Sequence, residues 1–177
     1  PLPSVSRETE EPEAAALMAQ NHAGPLAAAW QQHLQEKGWL ERGYTYLFDE
    51  PEPEHYATLN RVMGTIKLAA PGIRNMMTAR AFPEALKYVD IWCPEVYSFN
   101  PEAARAEQER GKEIWWYVAF STRHPYPNFW VDYPALDCRV LFWMTWKHNL
   151  DGVLYWSGTY WAVDPWKDPM TFPGANG

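Results

Sequence analysis

Five short apolar runs alternate with segments whose apolar residues recur at helical spacing, and no other feature constrains the fold as strongly. The strands are expected at Tyr44–Phe48, Ile73–Ala79, Val89–Tyr97, Ile114–Phe120 and Val153–Trp156. Helices are expected over Pro25–Lys37, Pro53–Ala70, Phe82–Tyr88, Pro101–Arg110 and Tyr133–Asn149. Pro25 suits a first helical turn, and Gly38 and Gly111 suit helix stops. Strand–helix alternation of this kind predicts a parallel sheet covered by helices. The strands are nearly all apolar, as strands covered on both faces should be.

A closed (β/α)8 barrel takes about 250 residues, so five units in 177 residues cannot close one. The first strand is not followed by a Gly-rich nucleotide loop, which turns the reading away from an open dinucleotide-binding sheet. The fold expected is therefore α/β, an incomplete (β/α)8 TIM-type barrel with its outer helices. Its other strands would come from a second chain or from a preceding segment. Residues 1–22 read as an extended or peripheral segment, 23–166 as the partial barrel and catalytic region, and 167–177 as a tail.

A net charge of −7 speaks against nucleic acid, whose phosphates demand a basic surface. No apolar run reaches the ~20 residues of a membrane span. The first residues lack the charged-then-apolar pattern of a secretory leader. Cys93 and Cys138 are too few for a disulfide framework and lack metal-type spacing, so both read as buried free thiols that leave the compartment open. No two His residues have metal-ligand spacing with a third partner, so neither metal nor cofactor is expected. Aromatic residues make up 16% of the chain, eleven of them Trp. Such rings fill cores, and their flat faces and polar edges also suit a sugar, so a carbohydrate substrate is compatible with the composition.

The run Tyr44-Thr45-Tyr46-Leu47-Phe48 ends in Asp49-Glu50-Pro51. Paired acids where an apolar strand stops sit where catalytic groups of α/β barrels belong, and they suggest glycoside cleavage. The plain alternative is an acidic first turn of the next helix. Further segments follow in order: Val89-Asp90-Ile91-Trp92, Ile114-Trp115-Trp116-Tyr117, Arg139-Val140-Leu141-Phe142-Trp143 and Asp151-Gly152-Val153-Leu154-Tyr155-Trp156. The ordered set, from Trp30 to Trp166, resembles the catalytic domain of glycoside hydrolase family 123 and its uncharacterised relatives. That resemblance implies a (β/α)8 barrel of which this chain holds strands 4 to 8. It also implies hydrolysis of a terminal β-linked N-acetylhexosaminide, foremost a β-N-acetylgalactosaminide, with retention through the substrate's 2-acetamido group.

An ordinary retaining glycosidase pairs an acid with a carboxylate nucleophile about 5–5.5 Å away. The loop after Ile114–Phe120, Ser121-Thr122-Arg123-His124-Pro125, offers no carboxylate. If Glu50 is the acid, the acetamido oxygen can serve as nucleophile, and Asp49 then orients the acetamido N–H and steadies the oxazolinium ion. Successive strand residues point to opposite faces, so Asp49 is expected to face inward. Glu50 is expected to swing over the rim, held extended by Pro51. Aromatic surroundings and the neighbouring anion should raise the Glu50 pKa.

The remaining candidates are substrate-binding: Glu95 and Tyr97 near one strand end, Tyr117 beside the small Ala119, Asn128 in a proline-punctuated loop, and Trp156 as a stacking platform. Glu95 reads equally as a conventional nucleophile partnering Glu50 or as half of a surface salt bridge. Trp143 and Trp146 read as core packing of a helix, and His124 as a loop residue. Two other functions stay open: a conventional retaining glycosidase using Glu50 and Glu95, and a non-catalytic carbohydrate-binding or structural barrel fragment.

Overall fold

A computed structural model describes residues 12–79, 82–158, 163–164 and 166–168, with side chains from residue 21 onward. The chain is α/β and divides into two compact units, Pro1–Trp92 and Cys93–Gly177.

In the first unit, α1 (Pro12–Glu36) precedes β1 (Tyr44–Tyr46), α2 (Tyr56–Ala69), β2 (Arg74–Thr78) and β3 (Ile91–Cys93), the last crossing the unit boundary. The strand β1 runs parallel to β2 with Tyr44, Thr45 and Tyr46 opposite Arg74, Asn75 and Met76, and β3 neighbours β2 on its other side. Helix α1 lays Ala23, Ala27 and Leu34 against Val62, Ile66, Ala70 and Ile73. Gly24 permits that approach: a Cβ there would lie 3.3 Å from the Thr65 methyl. This packing explains why the helix begins at Pro12 rather than at Pro25, which lies inside it. A proline removes one backbone hydrogen bond, and an apolar stripe buried on a neighbour outweighs that loss. Residues 12–22 are accordingly helical instead of extended, while residues 1–11 lie outside the described residues.

A buried polar network ties the sheet together. Asn75 accepts the Thr45 hydroxyl at 2.7 Å and donates to the Tyr88 carbonyl at 2.9 Å. Asp90 accepts the Asn75 N–H at 2.8 Å and the Lys67 ammonium at 2.6 Å. The helix expected over 82–88 is an irregular turn instead. Its backbone bonds to the Asn60 side chain on α2, through Ala85 O at 2.6 Å and Lys87 N–H at 2.9 Å, in place of its own helical partners.

In the second unit, α3 (Pro101–Glu109), β4 (Glu113–Val118), α4 (Ala135–Lys147) and β5 (Gly152–Tyr155) follow in order. β4 and β5 are parallel, Trp115 opposite Gly152. The indole lies so close over Gly152 that a Cβ there would come within 2.5 Å of it. On the other side of β4, Glu95 bridges Tyr117 in parallel sense. Asn100 caps α3, accepting the N–H groups of Glu102 and Ala103 at 2.9 and 3.0 Å. The core gathers Val96, Trp116, Val118 and Leu141, with Phe99, Phe129, Met144, Leu150 and Val153 around them. The buried Trp116 indole donates to Thr145 at 2.9 Å.

Trp143 and Trp146 are not core residues: they are 59% and 86% exposed. Helix α4 turns Leu141, Met144 and Thr145 inward, and its opposite side, also aromatic, faces out with the Arg139 guanidinium 5.9 Å from the Trp143 ring. Cys93 is buried and free, whereas Cys138 is free and only half-buried. Burial pushes the Cys93 thiol far up, leaving it an inert thiol at neutral pH. Among the described residues no helix is long and apolar enough to cross a membrane.

Candidate active site

The strand β1 stops at Tyr46, two residues before the expected end, and Leu47–Phe48 lead irregularly into the acids. Tyr44 and Tyr46 are partly exposed around the buried Thr45, so the strand is not buried throughout. One oxygen of Asp49 accepts two hydroxyls: Tyr46 at 2.6 Å and Thr78 at 3.0 Å. No described residue donates to its other oxygen. Asp49 is exposed, and the hydroxyl pair fixes its direction. Thr78 stands two residues beyond Met76, the partner of Tyr46, so it shares the face of Tyr46.

Glu50 departs from expectation in its backbone. Its φ is +43°, in the left-handed region, not the extended conformation that a following proline favours. Left-handed backbone disfavours any residue with a Cβ by roughly 1–2 kcal/mol. The Thr78 hydroxyl oxygen accepts the Glu50 N–H at 2.9 Å and helps hold the turn. One threonine thus orients the first acid through its side chain and the second through its backbone. Sequence reasoning did not single out Thr78. The clue was there in its parity and its position at the end of the next strand.

The second unit builds a similar clamp around Glu95. This carboxylate is 2% exposed, which rules out a surface salt bridge. One of its oxygens, Oε1, accepts the hydroxyls of Ser121, at 2.6 Å, and Thr122. No described residue donates to Oε2. Thr122 in turn accepts the Ala119 N–H at 3.2 Å. Asn128 is fully buried, and its amide donates to the carbonyls of Ala119 and Thr122 at 2.7 and 3.0 Å while accepting the Phe129 N–H at 2.7 Å. It is therefore a staple of this loop, with its hydrogen-bonding capacity engaged internally.

Tyr117 is buried opposite Glu95 and does not stand at an open pocket mouth. Tyr97 and Trp156 do offer accessible ring surface. Tyr97 meets Tyr126 edge-on at 6.4 Å, and Trp156, just past β5, meets Phe120 edge-on at 6.1 Å. Tyr97 also borders an open groove continuing along Ser98, Phe99, Asn100, Pro101 and Glu102. His124 stacks on Tyr133 at 4.0 Å with Asp137 3.8 Å from its Nε2. Among the described residues, no three His, Cys, Asp or Glu side chains are grouped so as to hold a metal ion.

The arrangement of each acid is that of a preset acceptor. A carboxylate with one oxygen held by two hydroxyls has a fixed direction, and its second oxygen can take an N–H or O–H from outside. The family model described as glycoside hydrolase 123, catalytic domain, matches residues 20–174, a span that includes both clusters. No individually curated protein matches the chain.

Proposed function

The chain belongs to the glycoside hydrolase 123 family, and from that premise we propose that it hydrolyses terminal β-linked N-acetylhexosaminides with retention, the 2-acetamido group acting as nucleophile. The preferred sugar is N-acetylgalactosamine. Glu50 gives its proton to the leaving oxygen and later activates water. Asp49 receives the acetamido N–H, which raises the nucleophilicity of the carbonyl oxygen, and then faces the positive oxazolinium ion. The observation that carries this reading is the Asp49 clamp: Tyr46 and Thr78 occupy one oxygen and orient the other. Adjacent residues suit the two tasks because the acetamido group hangs from the carbon next to the reacting one. Tyr97, Glu95 and Trp156 are proposed to contact sugar hydroxyls and ring faces, with Tyr117 and Asn128 supporting from behind.

Two further proposals complete the reading. The chain supplies strands 4 to 8 of a (β/α)8 barrel, residues 23–166, and the remaining units come from a preceding segment or a second chain. The second mechanistic reading makes Glu95 a covalent nucleophile; its buried, hydroxyl-clamped carboxylate is the observation in its favour. A thiazoline mimic of the oxazolinium separates the two, since only neighbouring-group participation should give tight inhibition. The acid role is tested by Glu50→Gln. General acid catalysis contributes about 10²–10⁴-fold, so that loss is expected on natural glycosides and less than about tenfold on aryl glycosides with good leaving groups. Equal loss on both substrates would remove Glu50 from the role.

A further inference from the structure

Between Glu50 and Glu52 the backbone has only two N–H groups to place, because Pro51 carries none. Both donate to side chains rather than to a strand or helix. The Glu50 N–H goes to the Thr78 hydroxyl at 2.9 Å, and the Glu52 N–H goes to Nδ1 of His55 at 3.1 Å. The turn that carries the acid is thus held by two side chains, one on each side of Pro51. The proposed mechanism uses only the first.

The local sequence sets His55 to this task. Pro53 opens a single helical turn, Pro53–His55, as a proline at a first helical position does. The His55 N–H donates to the Glu52 carbonyl at 2.9 Å and closes that turn. Its side chain reaches back to the Glu52 N–H, a pairing usually made by Glu or Gln at the third residue of a helix start. The imidazole also lies against the Phe48 ring, with centroids 6.1 Å apart. His55 therefore touches the chain just before Asp49-Glu50 and just after Pro51, which is itself buried. All of these contacts lie within the first unit. A ring nitrogen that accepts an N–H carries no proton, so the imidazole's own N–H is at Nε2. Glu50, at φ +43°, needs such bracing, since a strained residue at a functional site persists only where its surroundings fix it.

We propose that His55 is a positioning residue for the acid: through Nδ1 and its contact with Phe48 it fixes the turn that aims the Glu50 carboxyl. Tyr46 and Thr78 orient Asp49 without its help. The inference rests on the glycosidase reading for the role of Glu50, and goes beyond it in naming what aims that group.

Two substitutions separate the hydrogen bond from the ring contact. His55→Phe keeps a ring against Phe48 and removes the acceptor. His55→Gln gives up the ring and supplies the acceptor usual at that position. With His55→Phe, kcat on natural glycosides should fall about ten- to a hundredfold, since displacing a reacting group by about 1 Å can lower a rate about 100-fold. Aryl glycosides with good leaving groups should lose much less, and KM should change little, because Asp49 keeps its clamp. His55→Gln should retain most of kcat on both substrates. Amide hydrogen exchange gives a readout that needs no activity. His55→Phe should speed exchange at Glu50 and Glu52 but not along β2, and His55→Gln should leave both slow. Full kcat with His55→Phe, equal loss on the two substrate classes, no rescue by His55→Gln, or unchanged exchange at Glu50 would overturn the proposal. The Glu50→Gln protein tests the glycosidase reading separately. If it lacks the leaving-group dependence, that reading fails; if it shows the dependence and His55→Phe does not, only the role of His55 fails.

Discussion

Thr78 concentrates the residue-scale argument. Its hydroxyl touches Asp49, Tyr46 and the Glu50 N–H at 3.0, 3.1 and 2.9 Å. Thr78→Val keeps the shape and removes all three contacts. Displacing a reacting group by about 1 Å can lower a rate about 100-fold, so a loss of that order in kcat is expected, with the protein still folded. Retention of full kcat would show that Tyr46 alone orients Asp49. The left-handed Glu50 adds a stability test, since strained backbone at a functional residue is held by its surroundings. Glu50→Gly should be more stable than Glu50→Ala by about 1 kcal/mol, because glycine alone adopts φ near +43° freely. Denaturant midpoints of the two variants measure this, and an equal pair would mean the turn carries no strain. The acids themselves were legible in the sequence, because an apolar run ending in Asp-Glu-Pro is a local pattern. Thr78 was not, because its partnership with Asp49 exists only through the pairing of β1 with β2, 29 residues apart in sequence.

At the scale of elements, strands were easier to place than the faces of helices. All five strands exist near their expected positions, since short apolar runs bounded by polar residues report burial directly. Asp90 and Asp151 show a shared device at strand starts: each side chain accepts an N–H from the neighbouring strand, Asn75 at 2.8 Å and Ile114 at 2.9 Å. Helix α4 misled because apolar residues surround it, and periodicity alone cannot say which side meets the sheet. Its end holds a titrating group in a contest between two effects. His148 caps the C-terminus, where the helix dipole favours a cation. Burial beside the rings of Phe99 and Trp116, at 5.2 and 6.1 Å, and then the Lys147 charge, hold its pKa below 6.5. The unfolded chain therefore binds a proton more readily than the folded one. This contribution to stability is complete above pH 6.5 and is lost as pH falls through the depressed folded value. His148→Phe should flatten the decline in melting temperature between about pH 7 and pH 5. Parallel declines in both proteins would assign the acid sensitivity elsewhere.

For the whole molecule, the edges of the strands matter most. Among the described residues β1 pairs only with β2, and β5 only with β4. Strands at the ends of a parallel sheet are normally covered or continued. Tyr44 and Tyr46 on β1, and Tyr155 on β5, retain more than a third of their surface exposed, whereas β2 and β3 are almost wholly buried. Further β/α units that continue from these strands would bury those rings, and a closed barrel would cover both at once. Glycosidase activity also gains from a site in which bulk water is replaced by fixed protein groups around the reacting carbon. The expected outcome is that the catalytically competent protein is larger than these 177 residues, either a longer chain or an assembly with a complementary one. Native mass and hydrolysis should be measured on the same preparation of the isolated 177 residues and of the completed form. The completed form should melt higher and turn over substrate at least about 100-fold faster, given the effective gain from a fixed and water-excluding site. A monomer of the isolated 177 residues that matches the larger form in rate would show that five strands suffice for the reaction, with the edges of β1 and β5 closed by their own flanking segments.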